Sequence, residues 1–146
     1  MLFADHSVSF RGDLETAWKR LIDWKNMPEW DVFMENVSFP EPVGLGSVGV
    51  LNTKDRHTYA LRITSWNPPT DYKDEFKMMG SRFIFFHEVL EKTPGEITVH
   101  LIIEGEGILA FVFQYAFRNA FKAKVPLLMD NFKQLYEIDR DKGLHK

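Results

Sequence analysis

The chain has 146 residues, 45% of them hydrophobic and 27% charged, with a formal net charge of −3. That length suits one domain, residues 1–146, with a sizeable core, and the acidic balance argues against nucleic-acid binding, which needs a basic face to displace counterions. Cysteine is absent, which excludes disulfides, thiolate catalysis and Cys-ligated zinc.

The N-terminal Met1-Leu-Phe-Ala-Asp-His-Ser7 lacks the basic region and apolar run of a signal peptide. No apolar stretch approaches the roughly 20 residues of a membrane span. The expected setting is the cytoplasm.

Residues 2–10 read as a strand, with Val8 and Phe10 on one side and Ser7 and Ser9 on the other. Asp13 is placed to cap a first helix, with Glu15 in its first turn. Leu14, Ala17, Trp18, Leu21 and Ile22 then recur at helical spacing and form one apolar face. Asn26 is expected to cap a second short helix, with Pro28 in its first turn and Glu29 completing a capping box. Trp30, Phe33 and Met34 share a face behind it.

From Val37 to about Gly105 the period switches to two. Tyr59, Leu61 and Ile63 point inward; Thr58, Arg62 and Thr64 point outward. Tyr72, Asp74, Phe76 and Met78 form the next inner set, and Ile97, Val99, Leu101 and Ile103 the last. The continuous apolar run Phe83–Phe86 leaves the register of residues 82–90 open.

Residues 108–138 return to a helical period, with Phe113, Phe117, Phe121, Val125, Leu128, Phe132 and Leu135 in one stripe. Pro126 lies inside this helix and is expected to kink or break it near Lys124 or Val125. A strand, two helices, a run of strands and a long helix point to an α+β fold.

Few local motifs carry chemistry. Gly44-Leu-Gly-Ser-Val-Gly49 matches the dinucleotide glycine pattern, but a strand follows it, where the phosphate mechanism needs a helix. It reads as a hairpin. The histidines, His6, His57, His87, His100 and His145, show no zinc spacing, so no metal or other cofactor is expected. His87 and His57 have apolar neighbours. Either could orient a carbonyl or act as a base, although a strand packing role is the expected one. Asp74 falls on an inner face, where a buried carboxylate would be functional or paired. A strand-end position reached by water is the alternative, and the expected one. Arg82 and Glu88 share a face, either toward a cavity or as an exposed ion pair. Arg118, Lys122 and Lys124 read as the solvated side of the last helix, or as a basic amphipathic surface. Phe111, Ala116 and Ala120 widen that helix's apolar face, a surplus that suits a homodimer or a lipid-facing mouth.

The stretch Val8–Trp30 runs strand, turn, Ala17-Trp18 helix and Pro28-Glu29-Trp30. With Trp66-Asn-Pro-Pro69 and the turn at Thr93-Pro-Gly95, it resembles the SRPBCC or START-like helix-grip superfamily, in its polyketide cyclase/dehydrase-like branch. Gly12-Asp13 stands where many members carry Ala-Pro, and Thr93 is displaced from the usual turn threonine. The resemblance covers nearly the whole chain. It implies a curved antiparallel sheet of about seven strands wrapped round a long C-terminal helix, with two short helices after strand 1. It also implies an internal cavity that binds a hydrophobic small molecule or lipid.

On that fold the expected cavity residues are Trp30, Tyr59, Tyr72, Phe76, Phe85, His87, Val99, Leu101, Phe113 and Phe117. His87 or Tyr59 would be the polar anchor, and no catalytic residue is assigned. Two other functions remain open. One is a cyclase or dehydratase using a cavity His, Tyr or Asp as acid and base. The other is a protein-interaction or quinone-chaperone module using the broad face of the last helix.

Overall fold

The computed structural model describes residues 1–141, so His145 lies outside the described residues. Period-two segments form seven strands: β1 (Leu2–Arg11), β2 (Met34–Ser38), β3 (Val48–Thr53), β4 (Thr58–Asn67), β5 (Asp71–Met78), β6 (Ser81–Thr93) and β7 (Glu96–Gly107). Each is antiparallel to its neighbours, in the order β1-β7-β6-β5-β4-β3-β2. Only the β1–β7 pairing joins strands far apart in sequence. It brings Val8 opposite Val99 and Phe10 opposite Ile97.

Between β1 and β2 lie α1 (Leu14–Leu21) and a 3-10 helix (Trp24–Glu29). Asp13 caps α1, accepting a hydrogen bond from the Thr16 N–H at 2.8 Å. Ala17, Trp18 and Leu21 are buried on its inner face. The 3-10 helix corrects the expected cap. It begins at Trp24, and Asn26 lies inside it, donating to Asp23 at 2.8 Å. Glu29 turns away to accept from Arg20 at 3.0 Å, so no capping box forms.

After β7 the chain forms α2 (Ile108–Val112) and α3 (Gln114–Asp141). The interruption falls at Phe113, and α3 runs helically through Pro126. This also corrects the sequence expectation. Proline removes one N–H, but Val125, Leu128, Met129 and Phe132 around it are buried, and that packing holds the helix. On α3, Arg118 is half-buried and donates to the Leu2 carbonyl at 3.1 Å in an exposed hydrogen bond, while Lys122 and Lys124 are exposed.

The inner faces of the strands and α3 share one core. Phe3 packs on Phe83, Phe117 and Phe121, and Phe10 packs on Phe132 and Tyr136. The register of β6 settles in favour of Ser81, Phe83, Phe85, His87 and Val89 as the inner set, opposite Phe76 and Tyr72 on β5. Arg82 and Glu88 take the outer face, where Arg82 pairs with Glu75 and Glu106 and Glu88 with His100. The outer side of α2 and the start of α3 leaves Ile108, Phe111, Val112 and Tyr115 exposed. Among the described residues, no helix is long and apolar enough to cross a membrane.

Gly12 shows why this chain departs from Ala-Pro after β1. A Cβ there would lie 2.2 Å from the Tyr136 hydroxyl of α3, which accepts a hydrogen bond from the Asp13 N–H at 3.1 Å. Gly12→Ala is therefore expected to destabilise the fold by about 1–3 kcal/mol through overpacking. Urea unfolding measures it; an unchanged midpoint would show that Tyr136 can retreat freely.

Candidate functional site

A cavity of about 180 Å³ lies between the concave sheet, the 3-10 helix and α3. The inward rows of β3 to β7 supply Leu51, Leu61, Phe76, Phe83, Phe85, Leu101 and Ile103. Trp24 and Met27 close it from the 3-10 helix, and Phe117, Phe121 and Leu128 from α3. It reaches solvent beside Thr53 and exposed Asp55.

Seven of the residues expected from the sequence meet at this wall: Tyr59, Tyr72, Phe76, Phe85, His87, Leu101 and Phe117. Three do not. Trp30 is buried edge-on against Phe132, with ring centroids 5.0 Å apart. Val99 lies deeper in the core, paired with Val89 and Val8. Phe113 sits at the break between α2 and α3 and is 50% exposed.

Four polar side chains of this lining are deeply buried, Asp31, Tyr72, Asp74 and His87, while Thr53, Asp55 and Tyr59 lie nearer solvent. Pairing of β5 with β6 sets Tyr72 opposite His87, and their rings stack at 4.3 Å with an interplanar angle of 9°. The Tyr72 hydroxyl and the His87 Nδ1 are both buried and have no hydrogen-bond partner among the described residues. A buried polar atom without a partner is costly, which marks both as positions for a ligand's polar group.

Asp74 overturns the strand-end expectation. It sits within β5, between Ile63 of β4 and Phe85 of β6, and is 4% exposed. Burial holds its carboxyl well above the usual carboxylate range, and the charge of Asp31 adds to the effect.

Asp31 was not singled out in the sequence. Its backbone N–H closes an α-type turn on the Met27 carbonyl at 2.9 Å, and its carboxylate accepts from the Phe33 N–H at 2.9 Å. The turn thus points the carboxyl inward, and burial raises its pKa to about 6 against the opposing Phe33 bond and the charge of Lys54. The signal for it was a lone acid between Trp30 and Val32-Phe33-Met34.

His87 is pushed the other way. Burial lowers its pKa to about 3, opposed by the Tyr72 backbone, so the imidazole is neutral at pH 7. Burial, followed by the charges of Asp74 and Asp31, raises the Tyr72 phenol. Two acids with raised pKa values, a phenol and a neutral imidazole can exchange protons with a bound molecule. Among the other described histidines, His57 is exposed beside Asp55, and His100 bridges Asp5 and Glu88 on the outer sheet face. No group of three or more His, Asp or Glu among the described residues is placed to hold a metal ion.

The raised Asp31 pKa gives a signed stability prediction. Folded protein binds more protons than unfolded between the ordinary value of 3.8 and about 6, so this group lowers stability as pH rises through that window. Asp31→Asn removes the effect while keeping an acceptor for the Phe33 N–H. Relative to wild type, the variant should gain on the order of 3 kcal/mol between pH 4 and pH 7. Urea midpoints across that range measure the gain, and parallel curves for the two proteins would show that Asp31 is solvated.

No protein-family profile matches the chain, and no curated protein matches it by sequence. Solved structures do. XoxI from Bacillus cereus superposes with a TM-score of 0.73 at 16% identity, over 91% of this chain and 94% of that one. A conserved protein from Geobacillus kaustophilus gives 0.65 at 14% identity, over 92% and 95%. Norcoclaurine synthase from Thalictrum flavum, solved in complex with dopamine and hydroxybenzaldehyde, gives 0.66 at 10% identity, over 90% and 84%. Together with the curled seven-stranded sheet and the long C-terminal helix, these likenesses give the chain a helix-grip fold.

Proposed function

We propose that residues 1–146 form one domain that binds a small, predominantly apolar molecule in the cavity beneath α3. The carrying observation is the pair of buried, unpartnered polar atoms on Tyr72 and His87, set in a wall of aromatic and aliphatic side chains. Such a lining supplies affinity by apolar burial and orientation by a few polar groups.

The volume narrows the size of the occupant. An apolar cavity of about 150 Å³ holds benzene, whereas drug-sized ligands occupy roughly 300–1,000 Å³. At about 180 Å³ this cavity favours a molecule built on one ring over a whole lipid. The chain's own Phe76, Phe83, Phe85, Phe117 and Phe121 take up much of the remaining space.

Toluene tests the binding reading. Titration should shift the methyl NMR signals of Leu61, Leu101, Ile103 and Leu128, with a Kd on the order of 0.1–1 mM for so small a ligand. Leu101→Trp, which fills the space, should weaken binding by about tenfold or more. Unmoved methyl signals at saturating toluene would refute an open cavity.

Acid–base catalysis is the second reading, favoured by Asp31, whose raised pKa suits a general base near neutral pH. Benzisoxazole, which opens when a base removes its ring proton, fits the same space. The expected result is a rate above buffer that rises through about pH 6 and falls roughly 100-fold in Asp31→Asn. Equal rates for the two proteins would remove Asp31 from any catalytic role.

A further inference from the structure

Resting on the ligand-binding reading of the cavity, we propose that its occupant is a small aromatic or alkyl amine, held as the ammonium ion between Asp31, Asp74 and Tyr72. The polar side chains of this wall are unequal in kind. Three are carboxyls (Asp31, Asp55 and Asp74), two are phenols (Tyr59 and Tyr72), one is the Thr53 hydroxyl and one is the His87 imidazole, and no lysine or arginine lines the cavity. The cation felt by Asp31 is Lys54, which is exposed in the turn between β3 and β4. All of these groups can accept hydrogen bonds, and an ammonium ion offers three donors and no acceptor.

Other ligand chemistries fit less well. A carboxylate or phosphate would meet two buried acids and no cation. A neutral carbonyl would accept from the Tyr72 hydroxyl and from protonated Asp74, leaving Asp31 without compensation. An ammonium ion satisfies the Tyr72 hydroxyl, which is wholly buried and has no partner among the described residues, and it neutralises the acids. The faces of Tyr59, Phe76, Phe85 and Trp24 lie in the same wall. Aromatic faces attract cations and also pack against the rest of such a ligand.

Binding would then be coupled to protons. Facing the ligand are Asp31 after the 3-10 helix, Tyr72 and Asp74 on β5, His87 on β6, Tyr59 on β4, and Asp55 in the turn after β3. His87 stays neutral from pH 5 to pH 7. The acids are the groups that ionise when the cation enters, so amine binding should release protons and strengthen as pH rises from 5 to 7.

The test is calorimetry and NMR on the full chain with toluene, benzyl alcohol, benzylamine and benzoate. Benzylamine should bind about tenfold or more tightly than benzyl alcohol at pH 7, the scale of a charge-assisted hydrogen bond. Benzoate should not bind. At pH 5.5, benzylamine heats in buffers of different ionisation enthalpy should report proton release. Asp31→Asn and Asp74→Asn should each bring the amine-to-alcohol ratio toward one. Toluene binding with equal or weaker benzylamine binding would overturn the amine assignment and leave the cavity reading standing. Failure of all four ligands would overturn both.

Discussion

A helix is too narrow to fill the hollow of this sheet, and the rest of the molecule follows from that mismatch. Seven strands about 4.8 Å apart span roughly 30 Å, whereas an α-helix with its side chains is about 10–12 Å across. Helix α3 lies against β1, where Phe3 and Phe10 meet Phe117, Phe121, Phe132 and Tyr136. The hollow above β4, β5 and β6 is left to other parts of the chain. The 3-10 helix and large side chains cover it, and they close it incompletely. The cavity is the part of the sheet's concave face that α3 borders, through Phe117, Phe121 and Leu128, without filling.

That geometry sets the electrostatics. Asp74 and His87 from the middle of central strands, and Tyr72 from the start of β5, project into a space walled by Leu, Ile and Phe. With so little water to solvate charge, the neutral form of each is favoured. Asp31 arrives from a different element, carried by the turn after the 3-10 helix. Arg20 holds that segment in place, pairing with Glu29 at 3.0 Å and with Asp139 of α3 at 3.6 Å. The surface ion pair at Glu29 is worth little alone. Its use is positional, because a shift of this turn would move a buried acid.

Packing also explains the chain's departures from a simpler pattern. Gly12 leaves room for Tyr136. Gly107, with a φ of 99°, turns the chain from β7 into α2, and a side chain there would also meet the backbone of Gly80 and Ser81. The interruption at Phe113 then re-aims the chain from α2 into α3. It turns Phe117 and Phe121 inward and leaves Phe113 half exposed.

Periodicity alone revealed the strands, α1, the long C-terminal helix and most inward-facing rows. Burial of one face of a helix or strand imposes a repeat that survives in a single sequence. The inward placement of Tyr59, Tyr72, Phe76, Leu101 and Phe117 was legible for that reason. Residues 82–90 were not, because apolar residues occupy both faces of β6, and only pairing with β5 and β7 sets which row faces inward. The cap at Asn26 and the break at Pro126 were misjudged, since local preferences worth about 1–3 kcal/mol yield to packing. Tyr72 and His87 were already expected to share the cavity; that Asp31 and a dry Asp74 join them was not legible, for a different reason. The four come from three elements separated by up to 56 positions in sequence (87 − 31). Amino-acid order determined which side chains could be buried; only the closure of the sheet over α3 and the 3-10 helix decided which polar groups would share one dry space.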